Sequence, residues 1–247
     1  MRFNFYKEAR LSLLILSIVL SICVIFCLIA SMFTSMGYNG YYTVNADVGE
    51  IYLAIPIIIL DAGHGGEDPG AVANGLIEKD LNLELTRYIK IILEANGYRT
   101  HLTRSEDKLL YNSGEENRKK YYDIRNRLKI ANEIENAIFI SVHMNKFPAE
   151  YCKGLQAFYN SENPLGKKLA ETIQNNVKKL QTDNDRNIAD GNESIYLLDK
   201  LEIPATLIEC GFISNFEEAE LLNKDNYKLS LAMSIYCGIA EYMENFK

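Results

Sequence analysis

Ile57-Ile-Ile-Leu-Asp-Ala-Gly-His-Gly-Gly66 is the stretch on which the fold turns. Its first four residues are apolar and three are β-branched. A strand with one wet face would expose two of the four, so the run predicts a strand covered on both faces. It ends abruptly at Gly63, Gly65 and Gly66, which let the backbone bend sharply and leave room for something to approach His64. A turn at the carboxyl end of a buried strand is where open α/β sheets place their sites. On this stretch alone, His64 reads equally well as a satisfied structural histidine.

Outward from it, strands and helices alternate. The Gly-rich turn runs to about Gly75. Asp80 reads as the N-cap or first-turn acid of a helix in which Leu81, Leu85, Tyr88, Ile89, Ile92 and Leu93 recur at helical spacing, closed by Asn96-Gly97. Tyr98–Thr103 is a predicted strand, Ser105–Tyr122 a charged loop, and Asp123–Glu135 a helix. Ala137–His143 is a second buried strand that ends in a histidine. Leu155–Tyr159, Ile195–Leu198 and Ala205–Glu209 read as short strands, and Thr182–Asn192 as a loop. Pro164–Leu180, Asn215–Leu222 and Asn226–Phe246 read as helices. The alternation predicts a single α/β domain, a mostly parallel sheet flanked by helices on both faces.

The chain has 247 residues and a net charge of −7, which argues against a nucleic-acid-binding surface. Leu11 to Met36 carries no charge and is long enough to cross about 30 Å of hydrocarbon as a helix. Arg2, Lys7 and Arg10 precede it against Glu8, so the N-terminus is expected in the cytoplasm and the bulk of the chain outside it. The run exceeds the length of a cleaved signal's apolar core, and no Ala-x-Ala follows. Leu20–Cys23 is a poor lipoprotein box, because Ile22 is bulky where a small residue is needed. The expected organisation is a cytoplasmic stretch over 1–10, a transmembrane anchor over 11–36, a linker over 37–54 with an edge strand at Glu50–Ala54, and a catalytic domain over 55–247. Residues 1–36 remove three basic residues and one acidic one, so the remainder stands at −9 and is not held to anionic lipid by charge. None of the five cysteines forms a C-x-x-C pair, which argues against a thiolate metal cluster.

There are three histidines. His101 lies inside a predicted strand and reads as structural. His64 and His143 each end a buried strand, and two such residues on one sheet edge are natural metal ligands. Catalytic zinc sites commonly add a carboxylate and leave one position open. Glu78, in the loop before the Asp80 helix, is one candidate, readable also as a first-turn acid. Glu67 and Asp68 are rivals that spacing does not exclude. Glu209 ends the strand Ala205–Glu209. A carboxylate there is costly unless paired or near a metal, which makes it a candidate base beside a metal-activated water, able to pass the proton to a leaving amine.

The blocks Leu60–Gly66, Glu78–Asn82, Thr103-Arg104, Arg125–Asn132, Ser141–Asn145 and Pro204–Asn215, in this order, resemble the zinc-dependent N-acetylmuramoyl-L-alanine amidases of the amidase-3 type. The resemblance covers Ile57 to Phe246. It implies a twisted, mostly parallel sheet, Zn2+ held by His64, Glu78 and His143, and Glu209 as the catalytic acid/base. It favours Glu78 over Glu67, and it implies that Asn145 orders the substrate or the surroundings of the metal. Ala62, Met144 and Cys210 depart from the family's usual residues without removing a ligand or the acid.

The expected activity is cleavage of the amide between the muramic acid lactyl group and L-alanine in peptidoglycan. The N-terminal anchor, the absence of wall-binding repeats and the blocks Leu155–Tyr159 and Ile235–Ile239 are similar to family members from spore-forming bacteria. That similarity implies action on spore cortex as a step toward muramic-δ-lactam, with a muramic acid deacetylase acting next. A protein activator is compatible with this reading, and Ser105–Tyr122 is the candidate surface. Two other readings stay open: a zinc peptidase cutting within the stem peptide, and a non-catalytic wall-binding protein on the same fold.

Overall fold

The computed structural model describes residues 55–244. The expected cytoplasmic stretch, the span over 11–36 and the linker with its edge strand lie outside the described residues. Among the described residues no helix is long and apolar enough to cross a membrane.

The strands are β1 (Ile57–Ala62), β2 (Val72–Ala73), β3 (Leu76–Ile77), β4 (Thr100–Leu102), β5 (Ala137–Asn145), β6 (Gln156–Tyr159), β7 (Ala189–Asp190) and β8 (Ala205–Phe212). The helices are α1 (Glu78–Ala95), α2 (Lys119–Asn132), α3 (Pro164–Leu180), α4 (Tyr196–Lys200), α5 (Phe216–Leu222) and α6 (Asp225–Glu244). Six strands form one sheet in the order β4-β1-β5-β8-β6-β7. The pairs β1–β4, β1–β5, β5–β8 and β6–β7 are parallel, and β6–β8 is antiparallel. The expected mostly parallel α/β sheet is therefore present, with one reversal.

Both faces of β1 are dry, as four consecutive apolar residues require. Ile58 and Leu60 join Ile138, Ile140 and Ile208 in a core that includes residues of α1, α3 and α6. Ile59 joins Phe139, Leu207, Ala131 and Leu197 in a second core on the other face. Alternation along each strand divides the two sets.

Six local readings are corrected. The helix expected from Asp80 begins at Glu78, because Glu78 N donates to Ala71 O and Lys79 N to Pro69 O, closing the turn early. Ile195–Leu198 is not a strand: Ile195 is extended and caps α4. Four apolar residues do not distinguish a strand from one helical turn. The strand expected to end at Glu209 runs to Phe212, and that expected to end at His143 runs to Asn145, with a register shift between His143 and Asn145. The loop read over Thr182–Asn192 contains β7, which pairs with Phe158 and Tyr159, and Ser105–Tyr122 contains the start of α2.

Candidate metal centre and active site

The site rests on a polar layer laid across β1 and β5. Asp61 and Ser141 are register partners. Asp61 Oδ1 accepts from Thr103 Oγ1 and Arg127 Nη1, each at 2.6 Å, and Oδ2 accepts from Ser141 Oγ at 2.6 Å. Burial would raise the Asp61 pKa, but the Arg127 charge and the two hydroxyls hold it below the usual carboxylate range. Arg127 also donates to Ala62 O at 2.7 Å, His64 O at 2.7 Å and Asp123. Buried Arg104 donates to Ala62 O, Gly63 O and Lys79 O. Two guanidinium groups thus fix the carbonyls of the turn that carries His64. They hold His64 at φ 59, a left-handed conformation that a non-glycine residue rarely adopts.

Above this layer, His64, Glu78 and His143 converge, each offering one ligand atom within 4.8 Å of the others. His64 Nε2 lies 3.2 Å and His143 Nδ1 2.9 Å from Glu78 Oε1. The rings stand edge to face, 5.0 Å between centroids. Glu78 Oε2 accepts from Ala71 N at 2.7 Å, and Oε1 from Met144 N at 3.2 Å. Glu78 is therefore a first-turn acid and a member of the cluster at once. The two roles do not compete, since the first turn of α1 points at the strand ends.

The rival carboxylates part company. Asp68 Oδ2 lies 2.8 Å from His64 Nδ1, on the side of the ring away from Glu78. A carboxylate there fixes the tautomer and the plane of a ligating imidazole. Glu67 pairs with Lys119 at the surface. His101 is exposed on β4, an edge strand.

Two glycines serve the cluster directly, whereas Gly65 and Gly66 lie against the Lys108–Leu109 backbone. A Cβ on Gly63 would lie 2.2 Å from the His143 ring. At Gly70, φ +67, it would lie 2.5 Å from Glu78 Oε2 and 2.7 Å from His64 Cδ2. Their missing side chains make room for His64, Glu78 and His143 themselves.

Glu209 is the register partner of His143, so both side chains leave the same face of the sheet. Its Oε2 is buried without a hydrogen-bond partner. Burial pushes the carboxyl up to about 7; the His143 and His64 charges oppose that and Glu78 adds to it. Burial also works against the charge on Glu78, yet its bonds to His143 and His64 hold it well below the carboxylate range. The cluster presents two ring nitrogens, one carboxylate and an unpartnered carboxylate oxygen. Such a donor set fits a divalent cation better than any arrangement of protons. Asn145, at the end of β5, lines the adjoining cleft with Gln156 and Arg186. Spacing alone does not mark Asp61, Asp68, Arg104 and Arg127 as supports. The only local signal is the Asp123–Arg127 interval of four residues, which on a helix reads as a surface pair.

An α/β sheet with two histidines and a carboxylate at its carboxyl edge, and a second carboxylate beside them, is an arrangement that could hold a metal ion and serve hydrolysis. The sequence profile of the N-acetylmuramoyl-L-alanine amidase family matches residues 58–241. The germination-specific N-acetylmuramoyl-L-alanine amidase of Bacillus subtilis (strain 168) is 38% identical over 188 residues, covering 75% of this chain and 79% of that protein. The CwlD amidase from Clostridioides difficile, solved in complex with the GerS lipoprotein, superposes with TM-score 0.73 at 35% identity, covering 77% of this chain and 99% of that one. The catalytic domain of CwlV from Bacillus (Paenibacillus) polymyxa var. colistinus gives 0.66 at 27% identity, covering 76% and 98%. The chain belongs to the N-acetylmuramoyl-L-alanine amidase family. It is an amidohydrolase of peptidoglycan, acting at the amide between the muramic acid lactyl group and L-alanine.

Proposed function

We propose that the cation is zinc, held by His64, Glu78 and His143, and that Glu209 is the acid/base of the hydrolysis. Two imidazoles and a carboxylate are a common donor set of catalytic zinc sites with an open fourth position. Zinc bound there supplies Lewis acidity toward the carbonyl and lowers the pKa of water to about 7. One observation carries the reading: the buried, unpartnered Oε2 of Glu209 beside the cluster. A dication nearby favours the charged form of Glu209, which is the form that accepts a proton from the attacking water. The same oxygen then returns the proton to the nitrogen of L-alanine as the amide breaks. Asp68 keeps the His64 ring in the ligating tautomer, and Asn145 orients the substrate.

The test is purified Glu209→Ala protein. It retains zinc by metal analysis and loses turnover on muropeptides by about 10²–10⁴-fold. Turnover at the wild-type rate overturns the assignment of Glu209. Mass spectrometry of digested wall addresses the bond itself: free lactyl groups with intact stems are expected, whereas shortened stems still on sugar would indicate a peptidase.

The biological reading is action on spore cortex as a step toward muramic-δ-lactam, with a deacetylase acting on the exposed sugar. It is supported by the likeness to a germination-specific amidase and to CwlD. Residues 11–36 anchor the chain with residues 1–10 in the cytoplasm and 37–54 as linker, placing the domain over 55–247 in the envelope or the forespore intermembrane space. A protein activator fits, since the CwlD amidase was solved with a lipoprotein bound. Ser105–Tyr122 is the surface offered for it. Cortex that keeps its muramic-δ-lactam after loss of the gene would overturn the cortex role.

A further inference from the structure

The sheet continues past the site. β6 lies on the far side of β8 from β5, and Gln156 is the register partner of Glu209, as His143 is on the other side. His143, Glu209 and Gln156 therefore form one row across one face. Arg186 is fixed at the end of that row. Its Nη1 donates to Gln156 Oε1 at 3.0 Å and its Nε to Lys153 O at 2.8 Å, while the guanidinium lies 4.4 Å over the Phe212 ring centroid. Among the described residues it pairs with no carboxylate, and Nη2 has no hydrogen-bond partner. Glu218, whose charge reaches it, has its oxygens committed to Gly154 N at 3.0 Å and Phe212 N at 2.7 Å. The half-buried cation instead lines a cleft of about 270 Å³ with Asn145, Phe147, Cys152, Gln156 and Phe212.

We propose that Arg186 reads a carboxylate on the stem peptide and so sets the enzyme's specificity on the peptide side of the scissile bond. The direction rests on the reading of Glu209 given above. The proton goes to the nitrogen that leaves, so the leaving peptide lies on the flank of Glu209 and the next position in the row is Gln156. Stem peptides carry free carboxylates, whereas the glycan offers hydroxyl and acetamido groups. A planar guanidinium held rigid by stacking matches a carboxylate and no neutral group as well. Asn145 adds an amide at the same cleft, while Gln156, bonded to Arg186 and to Asn187 O, holds the guanidinium in place.

Two muramoyl-L-alanyl peptides, identical except that the carboxylate nearest the scissile bond is free in one and amidated in the other, test the proposal. Zinc-loaded wild-type enzyme favours the free acid by roughly tenfold in kcat/KM. Arg186→Gln brings that ratio close to one, and Arg186→Lys, which keeps charge but not the fork, lies between. Equal rates on both peptides in the wild type, or the same fractional loss on both in Arg186→Gln, would overturn it. Cys152 supplies a measurement that needs no hydrolysis. It is a half-buried free thiol lining the cleft, and exposed Cys237 is an internal control. The released L-alanyl peptide with its carboxylate free slows alkylation of Cys152 and not of Cys237, and its amidated form slows it less. Failure to protect Cys152 overturns the subsite even if Glu209→Ala is inactive. Protection of Cys152 beside an active Glu209→Ala would instead overturn only the proton assignment.

Discussion

At the carboxyl ends of β1 and β5, two polar layers, two residues apart along β5 at Ser141 and His143, are satisfied differently. Asp61, with Ser141, Thr103 and Arg127 around it, is wholly buried and has both oxygens occupied. His64, Glu78, His143 and Glu209, the next layer out, crowd two rings onto one oxygen of Glu78 and leave Glu209 Oε2 without a partner. The inner layer needs nothing further, so it contributes rigidity. The outer one keeps an unpartnered oxygen and, in the function proposed above, takes a cation, so it contributes chemistry. Completeness of pairing, rather than charge or burial, separates the structural cluster from the functional one.

The largest expected effect comes from breaking the inner layer. Arg127→Met leaves Asp61 and Asp123 buried without their cation and frees the carbonyl of His64, while Ala62 O keeps its bond from Arg104. Removing one partner of a buried pair costs about 3–5 kcal/mol, a fall in Tm of roughly 10 °C for a domain of this size. Glu209→Gln in the outer layer has the opposite character: it removes an uncompensated buried acid and leaves the metal-free protein as stable as before or more so. Thermal unfolding of both metal-free variants checks this. Equal losses at the two positions would end the distinction between the layers.

A smaller effect sharpens the border between them. Asp68 meets the cluster at the outer side of His64 alone, with its other oxygen paired to Lys120 at 2.6 Å. Asp68→Asn keeps an acceptor near His64 Nδ1 but removes the charge that favours its proton. Metal affinity falls about 10–100-fold while the fold is retained, measured by competition with a chromogenic chelator. Unchanged affinity would place Asp68 with Glu67 as a surface acid.

This division is only half visible in the chain itself. Ile57–Leu60 and Ala137–Ile140 announce two-faced strands because each is an apolar run rich in β-branched and aromatic residues. The 3.6-residue period from Leu81 to Leu93 announces α1. His64 and His143 stand out because each follows such a strand directly. What stays hidden depends on distance along the chain. Arg127 and Asp61 are 66 residues apart, and nothing local in either says they meet. The shift of register between His143 and Asn145 carries β8 on to Phe212, and no run of residue types around Glu209 reports a feature of its neighbour. Ile195–Leu198 misleads for the complementary reason: four apolar residues fit either period.

The smallest effect is a proton count, and it bears on how the outer layer waits for its ion. Burial alone would lower the pKa of His64, but Glu78 and Asp68 outweigh it and raise it to about 8. Without metal, His64 thus carries a proton in the folded chain over a window in which the unfolded chain has released it. That contribution to stability is complete below the ordinary histidine value of 6.5 and is lost as pH rises through about 8. A metal ion needs the lone pair that this proton occupies. Metal uptake at about pH 7 therefore expels close to one proton from His64, and affinity climbs with pH until about 8 and then levels. Glu209 adds a second release at lower pH, because its carboxyl is pushed up to about 7 and a bound dication favours its charged form. Calorimetric titration of metal in buffers of different ionisation enthalpy reads both contributions. In Glu209→Gln the lower release disappears and the one at about 8 persists. If affinity stayed flat from about pH 6 to 9, the outer layer would hold no proton in the ion's place, and its acceptors would be held together by something other than a shared proton.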